Sequence, residues 1–170
     1  KLVSVVPLDH AHCEELKACA AEGSLHELWY TTVPAPEDVS KAISLLLARR
    51  DTGSWLPFAV IDSATKNPLG MTNYLNIDAI NRRIEIGGTW YRRSVQRTGV
   101  NTECKYLMLV HAFEELGCIA VEFRTHYINR QSREAIERLG ANFDGVLRAH
   151  MIMPNGTIRD TAVYSIIAPE

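Results

Sequence analysis

One polar, glycine-bearing segment has residue types suited to binding a phosphate group. The run Gln96-Arg97-Thr98-Gly99-Val100-Asn101-Thr102 follows strand-like sequence and leads directly into helix-like sequence. A loop that ends at a helix N-terminus offers unpaired backbone N–H groups and the positive end of the helix dipole. Arg92, Arg93 and Arg97 add positive charge at the same turn. The run therefore predicts a phosphate-binding turn. By composition alone, an ordinary strand-to-helix connection with solvated arginines is an equal alternative.

Other familiar ligand patterns are absent from the sequence. No GKS or GKT follows the loop and no GxGxxG is present, which excludes a P-loop and the dinucleotide fingerprint. His10, His12 and Cys13 lie together, but no second ligand group stands at a suitable spacing, so we predict no metal site there.

The surrounding elements predict one mixed α/β domain over residues 1–170. The chain is 46% apolar, which suits a single core. Periodicity and turn residues predict a first strand, two helices, a meander of three strands, a long helix, a strand, a short helix and a final hairpin. These elements cover residues 2–6, 9–21, 36–50, 55–61, 69–77, 83–91, 101–116, 119–127, 129–139, 144–153 and 157–167. In the long helix we expect Tyr106, Leu109, Val110 and Phe113 to form the main apolar face.

Charge and composition exclude several classes of partner. The net charge of −2 gives no overall basic field for nucleic acid. No apolar run is long enough to cross a bilayer, and there is no N-terminal secretory pattern. The four cysteines show no CxxC spacing and lie in apolar or helical stretches, which is typical of reduced, mostly buried thiols. We therefore expect a cytoplasmic protein with neither nucleic acid nor membrane as a partner.

Two sequence blocks resemble the GNAT superfamily of N-acetyltransferases. Gln96-x-x-Gly99-x-Asn101 is similar to its pyrophosphate signature, Q/R-x-x-G-x-G/A, whose backbone amides hold the pyrophosphate of coenzyme A. Asn101 replaces the small last residue, and its side chain would lie near the phosphates or cap the helix. The run from Arg97 to Glu103 resembles the RimJ/RimL-like branch, which includes acetylases of ribosomal-protein N-termini.

The second block resembles the strand and helix that complete the cofactor cleft in this family. It comprises residues 121–124, then Asn129-x-x-Ser132, then residues 136–141. In relatives the asparagine reaches cofactor or backbone, whereas simple N-capping is the alternative. The resemblance implies a central, mostly antiparallel mixed sheet that is splayed at the cofactor site and flanked by helices. It also implies acetyl-CoA as co-substrate, no metal, and a cofactor site made by Gln96, Arg97, Thr98, Gly99, Val100, Asn101, Thr102 and Asn129.

The implied reaction is attack of a primary amine on the thioester of acetyl-CoA. Glu85, on the strand before the loop and pointing opposite Ile84 and Ile86, is the candidate base, although an ordinary strand glutamate paired with a cation is the alternative. Ser132 matches the position of the proposed general acid in RimL-like enzymes, and a structural serine is the alternative. Backbone N–H groups near Gly87 and Gly88 could bind the thioester oxygen.

The identity of the amine acceptor stays open at this stage. Trp29 and Tyr30 lie where relatives shape the acceptor pocket, so they are candidate substrate-binding residues, with burial in the core as the alternative. The RimJ/RimL likeness favours a protein or peptide N-terminus. A polyamine, an amino sugar or an antibiotic is the competing acceptor class, and a non-catalytic CoA-binding module is the competing function. Relatives are often dimers, so a homodimer is an open possibility.

Overall fold

A single seven-stranded sheet organises the chain in the computed structural model, which describes residues 1–168. The sheet order is β1-β2-β3-β4-β5-β7-β6, and every neighbouring pair is antiparallel except β4 and β5. The strands are β1 (Val3–Pro7), β2 (Trp55–Asp62), β3 (Pro68–Asp78), β4 (Arg83–Tyr91), β5 (Ala120–His126), β6 (Asn142–Ile152) and β7 (Ile158–Ile167). The helices are α1 (Cys13–Ala21), α2 (Val39–Asp51), α3 (Gly99–Val110) and α4 (Arg130–Glu137). The predicted mixed, mostly antiparallel sheet is confirmed.

The parallel pair β4 and β5 opens partway along its length. The two strands are paired only where residues 83–85 face residues 120–122, although β4 continues to Tyr91 and β5 to His126. Beyond Glu85, β4 therefore has no paired strand on the β5 side among the described residues. Its backbone N–H and C=O groups on that edge are available to bind a ligand. The splay expected from the family resemblance is present at the centre of the sheet.

The helices bury the two faces of the sheet in two apolar clusters. On one face, α1 and α2 pack against the β1–β3 end through residues such as Leu16, Ile43 and Met71. On the other face, α3 and α4 pack against the middle of the sheet, where Tyr74, Val121 and Tyr164 are almost fully buried. In this arrangement α3 packs over β1, β3 and β4, with its N-terminus at the open end of the splay.

The apolar face predicted for the long helix is only partly correct, because Leu109 and Phe113 pack half-buried against the core whereas Tyr106 does not. Tyr106 is 63% exposed, and the buried stripe consists of Val100, Cys104, Met108 and Ala112 at intervals of four residues. Small residues in this stripe let the helix approach the sheet closely, which the larger side chains would not allow. The helix also begins earlier than predicted, at Gly99, and turns into a single π-helical turn over residues 111–115.

The cysteines behave as expected from the sequence. Cys19, Cys104 and Cys118 are buried and Cys13 is partly exposed, all as free thiols. Within residues 1–168, no helix has the length and apolar character needed to cross a membrane.

Candidate active site

A cationic cleft lies beyond the C-terminal end of β4. Its volume is about 440 Å³, and its walls come from the α1–α2 connection, the loop after β4 and the start of α4. The residues that line it are Gly23, Ser24, Leu25, Leu28, Arg93, Gln96, Arg97 and Gln131. Arg93 and Arg97 bring two positive charges close to the N-terminus of α3, whose dipole has the same sign. These features fit the pyrophosphate of coenzyme A.

The loop that enters α3 is folded by its own side chains. Thr98 caps α3 by accepting a hydrogen bond from the N–H of Val100 (3.3 Å), and its hydroxyl donates to the carbonyl of Val95 (2.6 Å). The amide of Gln96 donates to the carbonyl of Tyr91 (3.0 Å). Arg97 has a positive φ of 61°, which is uncommon for a residue other than glycine and typical of functional loops. Gln96 and Thr98 thus shape the turn, while Arg97 faces the cleft.

Four of the predicted cofactor residues, Gly99 to Thr102, form the first turn of α3, and they differ in environment. The side chain of Val100 is buried in the apolar core, so any contact of this residue with the cofactor would come from its backbone. Asn101 is the third helical residue and not the N-cap, because Thr98 takes that role; the predicted cap at Asn101 is therefore wrong. Thr102 is exposed. A side chain at Gly99 would begin 3.0 Å from Leu2 of the N-terminal segment.

Glu22, at the end of α1, anchors the cofactor loop from a distant part of the chain. Its carboxylate accepts hydrogen bonds from the guanidinium of Arg92 and from both the N–H (3.0 Å) and the hydroxyl (2.8 Å) of Ser94. The bonds from Arg92 and Ser94 lower the pKa of Glu22 to about 2, so the carboxylate is charged over the working range. Glu22 therefore fixes the start of the loop against the first helix.

Replacement of Glu22 by glutamine is expected to raise the KM for acetyl-CoA about three- to tenfold, with a smaller change in kcat. Glutamine keeps one acceptor oxygen but removes the charge-assisted bonds to Arg92 and Ser94, each of which contributes about 1 kcal/mol or more. The measurement is steady-state kinetics with varied acetyl-CoA. Glu14→Gln is the matched control because Glu14 lies on the same helix, is exposed and forms an ion pair with Lys17 of that helix. Equal KM values for the two variants would contradict the anchoring role.

A second, smaller cavity lies at the closed end of the splay and contains Glu85. Its volume is about 170 Å³, and it is lined by Asn76, Asp78, Arg83, Ile84, Glu85, Glu122 and Arg124. Glu85 is only 5% exposed; its Oε2 accepts a hydrogen bond from Asn76 (2.7 Å) and lies 3.5 Å from Nε of Arg124. The prediction that Glu85 points away from Ile84 and Ile86 is confirmed, since those two side chains belong to the core on the α3 face.

The two glutamates of this cavity have pKa values that are displaced in opposite directions. Burial raises the pKa of Glu85 above its ordinary value, and this outweighs the opposite effects of Asn76 and Arg124. Burial would also raise the pKa of Glu122, but hydrogen bonds from Arg83 and Arg124 lower it overall. Two neighbouring carboxyls with diverging pKa values are typical of an acid–base site. Glu85, whose pKa burial raises, is therefore the candidate proton acceptor of the pair.

Asn129 and Ser132 meet at the N-terminus of α4. The side-chain oxygen of Asn129 accepts a hydrogen bond from the N–H of Ser132 (3.1 Å), so Asn129 is the N-cap of this helix. Ser132 is partly buried, and its hydroxyl bonds to no protein atom in the part of the chain that is described. Gln131, between them, lines the cationic cleft. Both predicted residues therefore lie beside the cleft, and neither contacts Glu85.

Trp29 and Tyr30 form an aromatic pair that covers the end of β5. Their rings meet edge to face with centroids 5.7 Å apart, and Trp29 also meets the ring of His126 edge to face at 5.4 Å. Trp29 is 45% exposed, so the alternative of core burial is wrong for this residue. Because alternate residues of a strand share a face, His126 lies on the same face as Glu122 and Arg124. The aromatic pair thus stands over the face that carries the Glu85 cavity.

An anion-binding helix N-terminus and a buried carboxylate lie at opposite ends of one splayed strand. This arrangement fits the acyl-transfer site that the resemblance to acetyltransferases implies. Among residues 1–168, no group of three or more histidine, cysteine, aspartate or glutamate side chains could hold a metal ion.

Comparison with known proteins identifies the family. Residues 3–142 match the family model described as "Acetyltransferase (GNAT) domain". The chain therefore belongs to the GNAT acetyltransferase family, and the domain is an acetyl-CoA-dependent N-acetyltransferase domain.

Individual relatives agree with this assignment. The chain is 32% identical over 101 residues to the "Putative ribosomal N-acetyltransferase YdaF" of Bacillus subtilis (strain 168), a match that covers 59% of this chain and 54% of that protein. A GCN5-related N-acetyltransferase from Brucella melitensis has 31% identity and a TM-score of 0.90 over 100% of this chain and 77% of its own. A Salmonella typhimurium acetyl transferase, described as modifying the N-terminal serine of ribosomal protein L7/L12, has a TM-score of 0.84 over 98% of this chain and 95% of its own. Its identity of 16% makes it a likeness of fold alone.

Proposed function

We propose that this domain transfers the acetyl group of acetyl-CoA to the α-amine of a protein or peptide N-terminus, with Glu85 as general base. The observation that carries the proposal is the buried Glu85 carboxyl, with its raised pKa, in a small cavity at the point where β4 and β5 part. The Bacillus subtilis relative, named a putative ribosomal N-acetyltransferase, supports this class of acceptor.

The chemistry matches what this acceptor needs. An α-amine has a pKa of about 7.7–8.0, so it is partly neutral near pH 7 and requires only a modest base, whereas a lysine amine near 10.4 requires much more. The neutral amine attacks the thioester carbon while Glu85 accepts its proton, directly or through water. Backbone N–H groups near Gly87 and Gly88 stabilise the thioester oxygen. The leaving thiolate, with a free pKa of about 8.5, takes a proton from Ser132 or from solvent.

The charge balance of the small cavity favours a single amine over a polycation. Glu122 is already neutralised by Arg83 and Arg124, and Asp78 accepts two hydrogen bonds from Asn81. Glu85 has a single, longer ion pair, with its Oε2 3.5 Å from Nε of Arg124, so it is the glutamate of this cavity that is more open to an ammonium group. A polyamine would place its further positive charges against Arg83 or Arg124, which like-charge repulsion disfavours.

The test is a competition between acceptors, read as release of the coenzyme A thiol. The acceptors are a short peptide with a free N-terminal serine, the same peptide with its N-terminus blocked and an internal lysine added, and spermidine. We expect kcat/KM for the free peptide to exceed the other two values about tenfold or more. A faster reaction with spermidine or with the blocked peptide would overturn the proposal. Acetyl-CoA binding with no turnover of any acceptor would favour the non-catalytic alternative. The homodimer and the cytoplasmic location stay predictions.

A further inference from the structure

Lys105 is a lysine of α3 that is buried without a counter-charge. It is 6% exposed, and its ammonium group donates to the hydroxyls of Thr72 (2.9 Å) and Thr89 (2.5 Å). Those two hydroxyls are themselves 2.8 Å apart. Among the described residues Lys105 forms no ion pair, and its burial lowers its pKa to about 8. Burial of a lysine whose partners are hydroxyls alone lowers the stability of the fold. A methionine of similar length would therefore stabilise the core more.

The two hydroxyls mark a β-bulge between β3 and β4. Asn73 faces Gly87 and Met71 faces Trp90, so Gly88 and Thr89 together oppose the single residue Thr72. Gly88 has a positive φ of 58°, as expected at such a bulge. Lys105 therefore contacts both strands at the bulge itself. The bulge begins at Gly88, three residues after Glu85, which is the last residue of β4 paired with β5 before the sheet splays.

The bulge is also held from the opposite face of the sheet. The side-chain amide of Asn73 donates to the carbonyl of Gly87 (3.0 Å) and to that of Gly88 (3.2 Å). Asn73 is only 1% exposed. Two buried polar side chains, Lys105 and Asn73, thus fix the same short piece of backbone from both sides. Polar groups buried at such a cost are typical of a backbone conformation that function requires.

We propose that Lys105 is a positioning residue for acetyl transfer: through Thr72 and Thr89 it holds the bulge so that backbone N–H groups at residues 87–89 face the thioester oxygen. This inference rests on the backbone oxyanion site of the proposed function, but not on the identity of the acceptor. Lys105 touches neither substrate. Its effect should therefore concern the acetyl group and leave the pyrophosphate end of the cofactor unaffected.

The test compares Lys105→Met with Lys41→Met, in which the same change is made at an exposed lysine of α2. Isothermal titration with acetyl-CoA and with coenzyme A needs no acceptor. We expect Lys105→Met to weaken acetyl-CoA binding about fivefold, the worth of one hydrogen bond, and to leave coenzyme A binding unchanged. The unfolding temperature should stay equal or rise, because methionine removes a buried charge. Thr89→Val, which removes the hydroxyl at nearly constant volume, should reproduce the loss.

The outcomes separate this inference from the proposal on the acceptor. An equal loss of affinity for both ligands together with a lower unfolding temperature would show that Lys105 only supports the fold. Unchanged affinities would show that it has no role in positioning. Either result would overturn the inference while leaving the acceptor competition untouched. Conversely, a selective loss for acetyl-CoA would support the inference even if the N-terminal serine peptide is not acetylated.

Discussion

Replacement of Glu85 by glutamine is expected to lower kcat for a peptide acceptor about a hundredfold. General-base catalysis by a positioned side chain contributes on the order of 10²–10⁴, and an α-amine that is partly neutral already places the effect at the low end. Glutamine retains the shape of the side chain and the contact with Asn76 but cannot accept a proton. The fold should be unaffected, so acetyl-CoA binding measured by titration should match that of the wild type.

The pH dependence of kcat provides a second test of Glu85 as the base. Glu85 acts in its deprotonated form, and burial places its pKa above the ordinary value of 4.5. In the wild type, the decline of kcat toward acid pH should therefore include a contribution from Glu85 with a midpoint above 4.5, in addition to that of the α-amine. In Glu85→Gln only the contribution of the α-amine should remain. The control is Glu134→Gln, which changes an exposed glutamate of α4. An unchanged kcat in Glu85→Gln would show that Glu85 is not the base and that a water chain or another group accepts the proton.

Replacement of Gly70 by alanine should destabilise the protein by about 3 kcal/mol or more. A Cβ atom at Gly70 of β3 would lie 2.1 Å from the carbonyl oxygen of Trp90 and 2.8 Å from Cα of Tyr91. Both atoms belong to the backbone of the adjacent strand, where Gly70 pairs with Tyr91, so neither can move without disturbing the β3–β4 ladder. Overpacking of this kind costs about 1–3 kcal/mol with flexible neighbours and more with rigid ones.

Urea unfolding measures this loss, and Gly99→Ala is the matched control. Gly99 also lacks a positive φ, and its added Cβ would meet the end of the Leu2 side chain at 3.0 Å, which can turn aside. We expect this control to lose less than about 1 kcal/mol. Similar losses in the two variants would mean that the β3–β4 ladder tolerates the extra atom. A change in the slope of unfolding with urea would instead indicate an altered denatured state.

Several features of this fold could be predicted from neighbouring residues alone. The bounds predicted for β4 agree with the structure, and Asn129 caps α4 as predicted. Strand alternation placed Glu85 opposite Ile84 and Ile86. Caps, turns and side-chain alternation depend on residues a few positions apart, and their energetics are therefore contained in a short stretch of sequence. The same reasoning predicts a phosphate-binding turn at the start of α3, since the N–H groups of a helix N-terminus belong to a short stretch of sequence.

Other features depend on residues that are distant in the sequence. Glu22 contacts Ser94, 72 positions away, and Lys105 contacts Thr72, 33 positions away. No periodicity or motif links such residues, because strand pairing and helix packing bring them together. The sequence did contain one indication that Lys105 is buried, because it follows Cys104 in the buried stripe of positions 100, 104 and 108. The apolar pattern predicted a different face for this helix, so the indication was missed.

The sequence by itself determined the order of the elements, the two cofactor motifs and the candidate base. The tertiary structure alone decided where β4 and β5 part, which charges surround Glu85 and which face of α3 is buried. The reason is physical: local conformational preferences are small and additive, whereas the splay, the pKa shift of Glu85 and the burial of Lys105 arise from dense packing between distant elements.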